Sequence, residues 1–121
     1  MLRSLYSGVS GLRNHQVKMD VLGNNIANIN SIGFKGGRTL FSAALSQMVS
    51  GASKQTGAGF LNPVQIGLGM KTGSIDKVFT QGALENTGNV TDLAIQGDGF
   101  FIVKSGGQKY YSRAGNFTLN P

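Results

Sequence analysis

Side chains able to carry chemistry are few in this chain, and their spacing is wrong for it. His15 is the single histidine. No carboxylate or second imidazole stands three or four residues from it, so it lacks the neighbour that a helical metal site or an acid–base pair needs. The acids Asp20, Asp76, Glu85, Asp92 and Asp98 are isolated from one another along the chain. Asp92 and Asp98 flank "LAIQG", but both adjoin expected turns, where aspartate caps backbone groups rather than forming a working carboxylate pair. Serines are plentiful, yet no G-x-S-x-G elbow occurs, and His15 would have to serve as the base of any triad. "GLGMKTG" and "GDGF" satisfy neither G-x-G-x-x-G nor the G-x-x-x-x-G-K-[ST] phosphate loop, and read as β-turns. Cysteine is absent, which removes disulfides and thiolate metal sites. These observations point away from an enzyme, a cofactor and a metal site.

Charge points to no particular ligand. The formal net charge is +6, from eleven basic and five acidic residues. The basic residues run from Arg3 to Arg113 without forming a block, the pattern of a solvated surface. One arrangement keeps a nucleic-acid-binding module as the alternative of another class: Phe100, Phe101, Tyr110 and Tyr111 fall near Lys104, Lys109 and Arg113, as on a base-stacking platform. Aromatics alternating along strands are ordinarily packing residues, so the expectation is no nucleic acid. No run reaches the roughly 18 apolar residues of a membrane span, so no membrane insertion is expected. The start, "MLRSLYSGVSGLRNHQ", has no long apolar stretch and no A-x-A site, and does not read as a cleaved secretory signal.

The elements divide into three unlike parts. Leu2, Leu5, Val9, Leu12, Met19 and Ile26 recur in helical steps as a heptad-like seam, with gaps at Gln16 and Gly23. Tyr6, Val17, Val21, Leu22 and Ile29 widen it. One helix from about Leu2 to Asn28 would be roughly 40 Å long, more than the remainder can cover. Ser4, Ser7, Gly8, Ser10 and Gly11 admit close backbone approach but weaken the helix, since a mid-helix glycine costs about 1 kcal/mol relative to alanine. The segment is therefore expected to be stable only when packed against neighbours. Its end, "NNIANINSIGFK", is rich in asparagine, which favours helix termini. Asn24, Asn25 and Asn28 are expected to make polar contacts there, to the following loop or an adjoining subunit. Gly33 is expected to end the unit in a left-handed turn, followed by Phe34 as an apolar anchor and the joint residues Gly36 and Gly37.

Beyond the joint, "RTLFSAALSQMV" has helical spacing and predicts a short helix over Arg38 to Val49, followed by a Gly/Ser-rich connector or loop over Ser50 to Asn62. From Val64 the period becomes two. Phe100 to Lys104 and Gln108 to Ser112, joined by "SGG", predict a hairpin, and Asn116 to Leu119 a further strand. The fold class is α+β: a long N-terminal helix, a flexible connector with a short helix, then a mainly antiparallel β region. The expected domains are a helical assembly domain over 1–34, a connector over 35–69 and a β-rich domain over 70–121.

Four segments in order, "SLYSGVSGL", "MDVLGNNIANINSIGFK", "TDLAIQGDGFFIV" and "YYSRAGNFTLN", give the chain its family likeness. It resembles the N-terminal portion of bacterial flagellar hook proteins, within the wider rod and hook family of axial proteins. The resemblance implies a structural subunit without cofactor that polymerises helically into the hook, a flexible tube transmitting motor torque to the filament as a universal joint. A distal rod subunit of the basal body is the alternative. It also implies Leu2, Leu5, Val9, Leu12, Met19 and Ile26 in inter-subunit packing in the innermost layer. The implied partners are copies of itself, other axial proteins of the rod, hook cap and hook–filament junction, and the flagellar export apparatus. The implied location is the hook or basal body, outside the cytoplasmic membrane, and a C-terminal helix pairing with the first is expected beyond Pro121.

Overall fold

A computed structural model describes residues 1–51 and 62–120. The long helix forms as expected: α1 spans Leu2–Ala27, 26 residues. It receives little help from its ends, with no acid in the first turn and no base in the last to offset the macrodipole. Past Ala27 the bonding shortens: Ile29 N donates to Ile26 O at 3.2 Å and Ser31 N to Asn28 O at 3.0 Å, the tighter turn common at helix ends. Gly33 then takes φ 72, the left-handed turn expected of it. A Cβ there would lie 2.7 Å from the backbone of Arg113 and Ala114, so glycine is required by space as well as by φ.

The segment expected as a short helix is extended instead. Strand β1 covers Gly37–Ala43 and β2 covers Ser46–Ser50. The helical spacing of Leu40, Ala44 and Met48 is a competing pattern; Thr39 and Phe41 are half-buried while Arg38 and Leu40 are exposed, the alternation of a strand. Partner strands decide the matter, because each supplies backbone bonds that a short isolated helix would have to nucleate by itself. Downstream come β3 Val64–Gly67, β4 Met70–Lys77, β5 Phe101–Ser105 and β6 Gln108–Ser112. The described strands form three pairs, β1 with β4, β2 with β3 and β5 with β6, so the chain is α+β. The expected flexible connector lies largely at 52–61, outside the described residues.

The β2–β3 pair is antiparallel, with Ser46 opposite Gly67 and a register shift between Met48 and Ser50. The β5–β6 hairpin runs from Phe101 opposite Ser112 to Ser105 opposite Gln108. Its two-residue turn, Gly106 and Gly107, has φ 57 and 85, the double positive φ that matches strand twist. The strand expected over Asn116 to Leu119 is reduced to one bridge, Asp92 with Asn116. Phe117 N bonds back to Gly115 O at 3.1 Å, which curls the backbone out of extended pairing.

The chain forms two compact units, Met1–Val21 with Arg38–Asp76, and Leu22–Gly37 with Lys77–Pro121. In the first, polar atoms join helix to strand. Asn14 Nδ2 donates to Met70 O at 2.7 Å and to Ser10 O at 2.8 Å, while its Oδ1 accepts from Thr72 Oγ1 at 2.8 Å. Ser10 Oγ accepts from Met70 N at 3.3 Å. Gly69, at φ 99, completes this approach: a Cβ would collide with Ser10 Oγ. His15 packs edge-to-face on Phe41 with centroids 5.7 Å apart, the role of a packing histidine. In the second unit, Phe101 and Phe117 meet edge-to-face at 5.3 Å.

The anchors and glycines of this frame are open to direct test. Asn14→Ala removes three part-buried bonds and is expected to lower stability by about 2 kcal/mol, seen as faster amide exchange at Met70 and Thr72 than in the parent chain. A methyl group added at Gly8 or Gly23 would meet nothing within 4 Å, so Gly8→Ala and Gly23→Ala should each raise α1 stability by about 1 kcal/mol, measured as helicity by circular dichroism.

Candidate assembly surfaces

No residue of α1 is buried, although its apolar side chains are large and regularly placed. Of the seam, Leu2 is 69% exposed, Leu12 72% and Ile26 70%; Leu5 and Met19 are similar, and Val9 is somewhat less open. Among the described residues no apolar side chain anywhere is fully buried. Val17 and Val21 of the second apolar line are half-buried, whereas Tyr6 and Ile29 are exposed. Covering the six seam residues would contribute on the order of 10 kcal/mol before the entropy of association is subtracted.

The asparagine run is spent within the chain. Asn25 Nδ2 donates to Gly37 O at 2.8 Å and Gly37 N donates to Asn25 Oδ1 at 2.8 Å. One carboxamide thus satisfies both backbone groups of the first β1 residue, as a neighbouring strand would. Asn28 Nδ2 reaches back to Asn24 O at 2.9 Å and Asn24 Oδ1 at 3.2 Å, and its own Oδ1 accepts from Ser31 Oγ at 3.1 Å. Asn24, Asn25 and Asn28 therefore hold the end of α1 and the exit of the chain from it. Gly36 follows the same path: its O accepts from Val78 N at 2.9 Å.

Phe34 belongs to an aromatic groove in the second unit. Ile32, Phe34, Phe79, Phe100 and Tyr111 line a cavity of about 370 Å³ together with Lys35 and Lys77. Lys77 Nζ lies 5.2 Å from the centroid of the Phe34 ring, within cation–π range, and Lys35 Nζ donates to Thr80 O at 2.8 Å. Phe79 and Phe100 stand edge-to-face, 6.0 Å apart at 87°. The aromatics considered for base stacking are divided by the hairpin register: Phe101 and Tyr110 belong to one face and Tyr111 to the other, where it lines the groove with Phe100, which precedes β5.

Three polar anchors had no clear signal in the sequence. Ser10 and Asn14 are one helical turn apart, and that i, i+4 polar pair beside an apolar stripe was the clue available. Arg113 gave none beyond its charge. Its Nη1 donates to Gly99 O at 2.6 Å, and its Nη2 to Ile95 O at 3.1 Å, Gln81 Oε1 at 3.1 Å and Gly97 O. One guanidinium thus holds the "IQGDG" loop by three carbonyls, using the fork of donors that lysine lacks. Among the described residues no cluster of three metal-ligating side chains occurs, and no helix is long and apolar enough to cross a membrane.

Comparison with known proteins joins these features. Residues 5–35 match the family described as "Flagella basal body rod protein", and residues 94–121 match "Flagellar hook protein FlgE/F/G D1 domain". Over 121 residues, 99% of this chain, it is 57% identical to the flagellar hook protein FlgE of Borreliella burgdorferi and 53% identical to that of Treponema pallidum. It is 50% identical over 121 residues to the flagellar basal-body rod protein FlgG of Bacillus subtilis. The chain spans 27% and 26% of the two hook relatives and 46% of the rod relative. With helix, asparagine turn, hairpin and "QGDGF" loop all falling inside this continuous similarity, the chain belongs to the rod and hook family of flagellar axial proteins.

Proposed function

We propose that the protein is a structural subunit of the bacterial flagellar hook, polymerising helically into a flexible tube that carries motor torque to the filament. The observation that carries this reading is the exposed seam of α1, a regular apolar surface for which the described residues provide no cover. In the proposed assembly, Leu2, Leu5, Val9, Leu12, Met19 and Ile26 pack between copies in the inner layer of the tube, and residues 1–34 act as the assembly domain. Residues 35–69 form the connector and 70–121 an outer β-rich domain. Gly33, Phe34, Gly36 and Gly37 form the joint, with the Asn24, Asn25 and Asn28 amides setting its direction. Hydrogen bonds of this kind contribute only about 1 kcal/mol each, enough to hold the exit direction of the chain from α1 while letting the joint adjust as the tube bends.

The proposed partners are further copies, the neighbouring axial proteins of the rod, hook cap and junction, and the flagellar export apparatus. The proposed location is outside the cytoplasmic membrane, and no catalytic role is assigned. A distal rod subunit is the second reading, supported by the 50% identity to a rod protein. The nucleic-acid reading is disfavoured by the split of the aromatics between two hairpin faces.

In the full-length protein, Leu5→Glu with Leu12→Glu is expected to raise the concentration needed for polymerisation more than about tenfold, the effect of losing over ~1.4 kcal/mol per contact, while amides of β5 and β6 stay protected. Polymerisation at the parent concentration would defeat the proposal. Asn25→Ala with Asn28→Ala is expected to leave export intact and yield few or malformed hooks by electron microscopy; normal hooks from that variant would remove the asparagines from the mechanism.

A further inference from the structure

The aromatic groove does not end at its cavity. Tyr111, which lines it beside Phe100, shares a hairpin face with Ile102, Lys104 and Lys109, because alternate residues of paired strands point to the same side. On that face Ile102 stands opposite Tyr111 and Lys104 opposite Lys109. Ile102 is 60% exposed and Tyr111 67%, so exposed apolar surface leads along the hairpin face from the groove toward the paired lysines. Like charges directly opposite on a hairpin are destabilising. Lys35 and Lys77 line the groove as well. Among the described residues the ion pair is Arg38 with Asp76, and no carboxylate lines the cavity. The surface is thus an apolar groove flanked by lysines that pair with no carboxylate among the described residues.

We infer that this surface is a docking site for an acidic amphipathic segment of a partner protein, with apolar side chains entering the groove and flanking carboxylates meeting Lys104, Lys109 and Lys77. Charge complementarity selects this occupant over α1 of a second copy: Leu2–Ala27 carries Arg3, Arg13 and Lys18 against Asp20 alone, and would bring like charge to like. Geometry selects it over single-stranded nucleic acid. Phe79 and Phe100 present edge to face, and so offer no row of parallel rings for successive bases. This site is separate from the seam of α1 and does not depend on how the seam is covered.

The test uses the full chain and a fluorescent synthetic helix with leucine at the a and d positions and glutamate flanking them, alongside the same helix with lysine for glutamate. Anisotropy should show saturable binding of the glutamate helix and none of the lysine helix. Lys104→Gln with Lys109→Gln should weaken binding about tenfold, and Tyr111→Ala should weaken it while hairpin amide protection is retained. Equal binding of both helices, no binding of either, or indifference to both variants would overturn the inference. So would displacement of the helix by an oligothymidine, which would make the groove a nucleic-acid site, or self-association of the parent chain abolished by the lysine variant, which would make it a contact between copies.

Discussion

Apolar surface that the chain leaves uncovered governs the rest of this structure. A soluble domain of ordinary design hides its large aliphatic side chains from water, and that burial is the principal favourable contribution to folding. Here Leu2, Leu5, Leu12, Met19 and Ile26 stand open along one helix, and the glycines that interrupt it lower its stability further. A helix of this kind gains most of its stability from whatever packs on its apolar face. The proposed helical assembly would supply that missing packing from neighbouring copies.

With so little apolar burial, shape is held mainly by polar anchors at defined points. Asn14 and Ser10 fasten α1 to the start of β4; Asn25 closes on Gly37 where β1 begins; Arg113 gathers the carbonyls of the loop before β5. Each works by meeting backbone groups that would otherwise lack a partner, where the cost of leaving them unmet exceeds the gain from any single bond. Glycine makes the close approaches possible at Gly33 and Gly69, where a methyl group would strike backbone or side chain. Directional bonds of modest strength hold a geometry and also permit its adjustment.

The hairpin illustrates how pairing sorts side chains with different tasks. Register sends Phe101 inward against Phe117 and leaves Tyr111 and Ile102 on the opposite face beside the groove. The same register sets Lys104 against Lys109. A one-residue slip would exchange the two faces, so the two-glycine turn controls which aromatics pack and which remain available.

Much was legible from residue order alone. The long helix followed from apolar steps of three and four, its end from the asparagines and Gly33, and the β5–β6 hairpin from alternation around "SGG", because these patterns depend on contacts close in sequence. Family membership was legible for the same reason, as its motifs are contiguous segments. What tertiary structure decided was the fate of residues with two local options. Arg38 to Val49 carries a helical spacing, yet β4 and β3 supply backbone partners that make it extended. Asn116 to Leu119 could extend, yet the bond from Phe117 to Gly115 curls it. The roles of Asn14 and Arg113 also came only from the fold, since their partners lie 56 and 58 residues away for one and 14 to 32 away for the other. Local patterns determine which conformations a segment can adopt; partners distant in sequence determine which one is stable, because only they satisfy its backbone and polar groups.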